Sequence, residues 1–190
     1  MIKADGLDSL DPALQRKLAE LQEEGFEIWR RFDIEARSKE WHPFVPVDYD
    51  KALQTLLRVR GPNLRFLEWG SATGVIAIMA DLLGFEAYGI EIDGSLVATA
   101  RWLADKYGSK ARFAEGSFLP TGYEWRAPDG DTRLGTVGSG RSGYLELKIP
   151  LDEFDIVYGY PWDGEAEIMR DVMKRYGRPD AIFLLEGHTS

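Results

Sequence analysis

The sequence predicts an α/β fold in which a mostly parallel, doubly wound sheet carries helices on both faces. Three observations lead to this prediction. Short apolar runs alternate with stretches of helical periodicity from residue 64 to residue 186. The helical stretches are 10 to 15 residues long, which is enough to cross between parallel strands. Apolar residues make up 44% of the 190-residue chain, enough for the core of one compact domain.

The first 62 residues are expected to form a helical extension ahead of the sheet. Asp11-Pro12 places a capping acid before a proline in the first turn, and apolar residues then recur at helical spacing to about residue 38. The stretch "WHPFVPVD" interrupts this pattern with two prolines. Asp48 is expected to cap a second helix, "YDKALQTLLRVR", which stops at Gly61-Pro62.

Residues 63–190 are expected to form the sheet and the helices that cover it. The predicted strands are "LRFLEW", "EAYGIEI", "KARFAEG", "FDIVYGY" and "DAIFLLEG". The predicted helices are "TGVIAIMADLLG", "SLVATARWLADKYG" and "GEAEIMRDVMKRYG", each of which ends at a glycine. A glycine-rich insertion at 119–152 separates the third strand from the fourth, and its "YLELKI" alternates like one arm of a hairpin. A mobile flap and a plain insertion both remain open for this segment.

Composition excludes several classes of function. The net charge is 23 − 32 = −9, which disfavours nucleic acids and anionic membranes as partners. The chain has no cysteine, so it cannot form disulfides, thiolate metal sites or a cysteine nucleophile. His42 and His188 are too few and too far apart to predict a metal site. The N-terminus does not resemble a signal peptide and no apolar run is long enough to span a bilayer, so a cytoplasmic protein is expected.

The stretch "EWGSATG" places a tight turn directly after the first strand, where a ligand can approach the backbone. A phosphate-binding loop would need lysine after Gly74, and Val75 stands there. A dinucleotide turn needs G-x-G-x-x-G, and the chain offers Gly70, Ala72 and Val75 at those places. Glu68 suits an ammonium better than a phosphate, and the start of the next helix suits a carboxylate. These residues favour an amino acid joined to a nucleoside, such as S-adenosylmethionine, although a turn without a ligand is the alternative.

This stretch resembles the first motif, E/D-x-G-x-G-x-G, of the class I S-adenosylmethionine-dependent methyltransferases, with alanine at the middle glycine. The resemblance covers residues 64–118 and 154–186. It implies a Rossmann-like sheet with strand order 3-2-1-4-5. It also implies that the methionine part of the cofactor is held by Glu68, Gly70, Ser71, Ala72 and Gly74.

Two further motifs extend the resemblance to the nucleoside. In "YGIEID", Glu91 lies 21 residues after Gly70 (91 − 70), close to the roughly 20 residues expected for an acid that binds a ribose. By resemblance Glu91 is the ribose acid and Ile92 lies under the adenine. In "ARFAEGSF", Ser117 stands where the family commonly has an aspartate that accepts from the adenine amino group. The resemblance implies that Ser117 and Phe118 contact the adenine, while an ordinary core position is equally open for Phe118.

The stretch "FDIVYGYPWDGE" corresponds to the family's fourth motif, where amino-group methyltransferases often carry D/N-P-P-Y/W. Tyr160, Pro161 and Trp162 are expected to face the methyl acceptor. Asp163 is a candidate base together with Glu165. Acids at the start of a helix also complement the helix dipole, so this role has a structural alternative. Gly159 replaces the acid or amide of the motif, which gives little support to transfer to an amide or exocyclic amine.

The resulting prediction is methyl transfer from S-adenosylmethionine to a small-molecule or peptide-like acceptor. A protein of the same fold that binds the cofactor without catalysis is the alternative. An NAD-dependent oxidoreductase is less favoured, because the third glycine of the dinucleotide turn is absent and Glu68 is present.

Two segments at the margins of the predicted site have open interpretations. Phe44, Pro46 and Tyr49 either cover the cofactor or pack in the core. The chain ends four residues after Glu186, so the last two antiparallel strands of the family are expected to be missing. A homodimer through the edge strand at 181–186, cover by the N-terminal helix and an incomplete chain all remain open.

Overall fold

The computed structural model of the protein describes residues 6–36, 44–45, 47–124, 140–161 and 164–187. In these ranges the helices are α1 (Pro12–Ala36), α2 (Tyr49–Val59), α3 (Val75–Leu82), α4 (Gly94–Tyr107), α5 (Tyr144–Leu147) and α6 (Glu165–Tyr176). The strands are β1 (Arg65–Trp69), β2 (Glu86–Glu91), β3 (Arg112–Glu115), β4 (Ile156–Gly159) and β5 (Ile182–Leu185).

The strands form one sheet in the order β3-β2-β1-β4-β5, and every neighbouring pair is parallel. This confirms the predicted fold class and strand order. Glu68 of β1 lies in register between Gly89 of β2 and Tyr158 of β4. Because all strands run the same way, their carboxyl ends meet at one edge, which is where ligands bind in open α/β sheets.

Each face of the sheet has its own apolar layer. Phe66 and Tyr158 point into a cluster with the apolar residues of α1, α2, α3 and α4. Leu67 and Trp69 point into a second cluster with α5 and α6. The alternation of neighbouring residues between the two faces is the period of an extended strand.

The N-terminal helices belong to the first layer. Leu18 and Leu21 of α1 are buried in the same cluster as Ile76 and Ile78 of α3. The predicted cap of α2 is confirmed, since the Asp48 carboxylate accepts a hydrogen bond from the Lys51 amide at 3.0 Å.

The prediction that "YLELKI" forms one arm of a hairpin is wrong. Residues Tyr144–Leu147 form the short helix α5, which ends at Lys148 in the left-handed conformation with φ 58°. Burial decides this outcome, because a helical turn brings Tyr144 and Leu147 to the same side, where both enter the second apolar layer. The Trp69 indole donates a hydrogen bond to the Tyr144 hydroxyl at 2.8 Å and fixes the helix there. Residues 125–139 of the insertion lie outside the described ranges.

Among the described residues, β5 pairs with β4 alone and forms an edge of the sheet. A homodimer through 181–186 stays a prediction. None of the described helices is both long enough and apolar enough to cross a membrane.

Candidate functional site

The turn after β1 is built on three left-handed residues. Gly70, Ala72 and Gly74 have φ angles of 65°, 44° and 74°. These are the three glycine positions of the predicted motif, so its spacing follows from the backbone conformation of the turn. An alanine in this conformation costs roughly 1–2 kcal/mol relative to glycine, so Ala72 strains the turn. The turn is anchored to β2 by the Ser71 amide, which donates to the Ile90 carbonyl at 3.0 Å.

Glu68, at the last-but-one position of β1, is buried beneath the turn. Its side chain is only 5% exposed, and one carboxylate oxygen accepts a hydrogen bond from the Ala77 amide at 2.9 Å. Ala77 is the third residue of α3, so the carboxylate satisfies one of the amides that a helix start leaves unpaired. Burial raises the pKa of Glu68 well above its ordinary value, and the charge of Glu91 raises it further.

Glu91, at the end of β2, is tied to the same turn. One of its oxygens accepts from the Ala72 amide at 2.8 Å and the other accepts from the Asp93 amide at 2.9 Å. The side chain is 6% exposed, and burial raises its pKa although these amides act in the opposite direction. A carboxylate oxygen has two lone pairs, so each oxygen keeps the capacity to accept from a ligand hydroxyl.

Glu68 and Glu91 place two buried acids at the turn without a cation to balance them in the described ranges. Within the described ranges, neither Glu68 nor Glu91 forms an ion pair with a lysine or arginine. A buried carboxylate without a cation is unfavourable unless hydrogen bonds or a ligand compensate it. The Ser71 hydroxyl is also buried and has no hydrogen-bond partner among the described residues. The arrangement therefore favours a ligand that brings positive charge and hydrogen-bond donors.

The residues predicted to contact the adenine differ in their burial and contacts. Phe118 is 1% exposed, and its ring stacks on Trp69 with centroids 4.9 Å apart. The ring is therefore packed in the second apolar layer, which agrees with the core alternative for this side chain. Ser117 is buried near the carboxyl end of β3, and its amide donates to the Arg141 carbonyl at 2.8 Å. Ile92 is half-buried directly after Glu91.

The returning end of the insertion is a part of the site that sequence reasoning missed. The amide of Gly143 donates to the carbonyl of Ser117 at 2.8 Å, and a Cβ placed on Gly140 would lie 3.5 Å from Ile92. Residues 140–143 therefore lie against both segments predicted to border the adenine. The only signal in the sequence is a serine beside a glycine at both ends of the insertion, in "EGSF" and in "RSGY".

The acceptor side is described only in part. Trp162 and Asp163 lie outside the described ranges. Tyr160 is half-buried, and burial together with the charge of Glu186 raises its pKa. Glu165 is 0% exposed in the first turn of α6, so it cannot reach a substrate in this conformation and the helix-dipole explanation fits it better.

A side chain at position 159, where the fourth motif has an acid or amide, would press on two apolar side chains. A Cβ placed on Gly159 would lie 2.9 Å from the Met169 sulfur and 3.3 Å from Leu185. A longer side chain there would require both neighbours to move. The packing of Met169 and Leu185 against Gly159 is therefore consistent with a glycine at the first position of the motif.

The two described residues of the expected lid differ in their surroundings. Phe44 is buried, and its carbonyl accepts a hydrogen bond from the Trp29 indole at 3.3 Å, which agrees with the core alternative. Tyr49 lies in the first turn of α2, where its hydroxyl forms a hydrogen bond with the side chain of Thr73 in the glycine turn. Pro46 lies outside the described ranges.

Glu186 is a partly buried acid at the end of β5 that the sequence analysis did not assign to the site. The Thr55 hydroxyl donates to one of its oxygens at 2.9 Å, and the Tyr158 hydroxyl donates to the other at 3.3 Å. These bonds tie the end of β5 to α2 and β4. No sequence pattern links residues so far apart along the chain.

Comparison with solved structures identifies the fold. Precorrin-6Y C5,15-methyltransferase from Geobacter metallireducens aligns with a TM-score of 0.52 over 80% of this chain and 69% of that chain, at 15% identity. The C-terminal domain of precorrin-6Y C5,15-methyltransferase from Rhodobacter capsulatus aligns with a TM-score of 0.50 over 76% of this chain and 65% of that chain, also at 15% identity. The chain has the class I methyltransferase fold.

Sequence comparison agrees with the methyltransferase fold over a shorter stretch. Ribosomal protein L11 methyltransferase from Thermus thermophilus is 39% identical over 74 residues, which is 37% of this chain. The match spans 29% of the length of that protein. No family model matches the sequence.

Proposed function

We propose that the protein binds S-adenosylmethionine at the glycine turn and transfers its methyl group to a small-molecule or peptide-like acceptor. The observation that carries this proposal is the pair of buried carboxylates, Glu68 and Glu91, that lack an ion-pair partner within the described ranges. A ligand with an ammonium and two ribose hydroxyls supplies the charge and the donors that these carboxylates lack. A diphosphate ligand would add negative charge beside them.

The residues of the turn fit such a cofactor on the grounds of charge and backbone shape. The Glu91 carboxylate, already oriented by two amides, would accept hydrogen bonds from the two ribose hydroxyls. Glu68 would attract the ammonium through its remaining exposed surface, directly or through water. The left-handed turn at Gly70 and Gly74 brings the backbone close to the methionine part. When bound, S-adenosylmethionine supplies a methyl group on a sulfonium that is open to attack by a nucleophile.

The contribution of the chain to methyl transfer is mainly to position the reactants. Glu165 is buried, and position 159 has no side chain, so the described part of the fourth motif offers no acid-base pair. Holding a nucleophile in line with a reactive carbon can supply ~7–11 kcal/mol without proton transfer. Tyr160 borders the acceptor in this proposal, while Trp162 and Asp163 remain candidates from the sequence alone.

The net charge of the chain and its sequence similarity to a known methyltransferase support the proposed class of acceptor. The net charge of −9 disfavours a polyanionic substrate such as a nucleic acid. The Thermus relative carries the name of a ribosomal protein methyltransferase, which supports a protein or peptide among the acceptors.

A thermal-shift experiment tests the cofactor. S-adenosylmethionine, S-adenosylhomocysteine, NAD and ATP are compared at rising concentration, and a ligand at a hundred times its Kd should stabilise the protein by ~2.7 kcal/mol. We expect stabilisation by the two S-adenosyl compounds and its loss in Glu91→Ala. Glu167→Gln, a change at a side chain that is 89% exposed, serves as the control and should respond like the wild type. Stabilisation by NAD alone would contradict the proposal.

A protein that binds the cofactor without catalysis is the second candidate. The glycine at position 159 favours it, because the acid or amide that amine-methylating enzymes often carry there is absent. Incubation with S-adenosylmethionine and pools of small molecules or peptides separates the two. Release of S-adenosylhomocysteine that depends on the acceptor pool indicates an enzyme, and binding without release indicates a sensor.

A further inference from the structure

The two ends of the insertion meet beside the carboxyl end of β3. The Ser117 amide donates to the Arg141 carbonyl and the Gly143 amide donates to the Ser117 carbonyl, both at 2.8 Å. These bonds form a parallel bridge that pairs Ser117 with Ser142. Paired residues in neighbouring strands project their side chains to the same face, so the two hydroxyls lie side by side. The insertion thus brings a second serine to the position that follows β3.

The hydroxyl of Ser142 is anomalous for a buried group. The residue is 9% exposed, and its oxygen has no hydrogen-bond partner among the described residues. A buried polar group without a partner costs about 1–3 kcal/mol, and such groups are uncommon in native proteins. The oxygen of Ser117 differs, because it accepts a hydrogen bond from the Leu119 amide at 3.1 Å.

Ser142 also lines a cavity of about 400 Å³. Its wall includes Ser117, Gly140, Pro120 and Tyr123, so the cavity lies between the two ends of the insertion. This volume is within the range of small-molecule sites, which is roughly 300–1,000 Å³. Ile92 is close to the same segment, since a Cβ on Gly140 would lie 3.5 Å from it.

We propose that Ser142 is a specificity-determining residue whose hydroxyl accepts a hydrogen bond from the exocyclic amino group of the nucleobase. The inference rests on the proposed function, which supplies the adenine ring. A base in the cavity would lie against Ser117 and Ser142. The Ser142 oxygen has almost no accessible surface in the unliganded structure, so its side chain would rotate to accept from the amino group of the base, the donor that the protein does not supply. Ser142, delivered by the insertion, thereby performs the role that the sequence alone assigned to Ser117.

A structural role for Ser142 and a ligand-binding role make opposite predictions for stability. The hydroxyl forms no hydrogen bond within the described structure, so Ser142→Ala removes nothing that the unliganded fold uses. The melting temperature of the unliganded variant should equal or exceed that of the wild type. Ser109→Ala, near the amino end of β3, is the matched control. It breaks the bond of the Ser109 hydroxyl to Asp81 at 2.7 Å and should lower the melting temperature without changing affinity.

The decisive experiment combines the variant with a change in the ligand. Calorimetry measures the Kd of S-adenosylhomocysteine and of its purine analogue, which lacks the 6-amino group, for the wild type, Ser142→Ala and Ser109→Ala. We expect Ser142→Ala to weaken the adenine compound about 3- to 10-fold, the range for one hydrogen bond, and to bind the purine analogue like the wild type.

Equal weakening of both ligands, or a lower melting temperature for unliganded Ser142→Ala, would overturn the assignment to Ser142 and leave the proposed function intact. Unchanged affinity of Ser142→Ala for the adenine compound would overturn it as well. Failure of the wild-type protein to bind either ligand would instead overturn the proposed function, and the assignment with it.

Discussion

Replacing Glu68 with glutamine tests the electrostatics of the glycine turn most directly. The amide oxygen of glutamine can keep the hydrogen bond from Ala77, which is 2.9 Å long in the wild type, while the titratable group is removed. Burial raises the pKa of Glu68 well above its ordinary value in the folded protein. The folded state therefore keeps a proton that the unfolded state releases above about pH 4.3.

The sign and the size of the effect follow from this difference in bound protons. The stabilising contribution of Glu68 is fully present below the unfolded pKa and is lost as pH rises through the folded pKa. In that window the free energy of unfolding falls by about 1.4 kcal/mol per pH unit for one proton. Glu68→Gln should lack this slope, so its advantage over the wild type should grow with pH until Glu68 is ionised in the folded state.

Urea denaturation at pH 5, 6, 7 and 8 measures the effect, with Glu167→Gln as the exposed control. Glu68→Ala is the contrasting variant, because it removes the acceptor of the Ala77 amide and should destabilise by about 1–3 kcal/mol. Parallel stability curves for the wild type and Glu68→Gln would refute the reasoning. In binding experiments above the folded pKa, Glu68→Gln should weaken S-adenosylhomocysteine by about 10-fold or more, as expected for a charged hydrogen bond.

Three further predictions follow from the geometry of the turn and the insertion. Ala72→Gly should raise the free energy of unfolding by about 1 kcal/mol in urea denaturation, because φ is 44° at that residue, and no gain would argue against strain. Glu91→Gln should cost about 1–3 kcal/mol in the same assay, since one of the amides of Ala72 and Asp93 would then face an NH₂ group, and unchanged stability would contradict the bonds described. Gly116→Ala should open the base of the insertion, because φ is 152° and the new methyl group would collide with the Arg141 carbonyl. Faster proteolytic cleavage of the insertion would support this, and wild-type cleavage rates would count against it.

Local patterns were sufficient for most of the fold. The strands that contain Glu68 and Glu91 are buried on both faces. Each is therefore recognisable in the sequence as a short apolar run, independently of the elements that pack against it. The glycine spacing of the first turn was readable for a similar reason, because left-handed φ angles are a property of single residues. The helix at 144–147 was missed because its alternating sequence fits a strand as well, and only contact with Trp69 and the second apolar layer selects the helix.

The candidate site was predictable in its location and much less so in its contacts. The order of strands and glycines placed Glu68, Glu91 and Ser117 at the carboxyl edge of the sheet. The sequence could not reveal that Glu68 faces a helix start, that Phe118 stacks in the core or that Glu186 joins Thr55.

The sequence by itself determined the α/β class, the elements that repeat within it and the turn that can receive a ligand. Each of these follows from interactions among residues close together in the chain. Only the tertiary structure decided which polar groups are buried without a partner and which segment lies beside Ser117. Burial and pairing depend on residues that meet across the fold, as Ser117 and Ser142 do, and their separation along the chain leaves no local pattern to read.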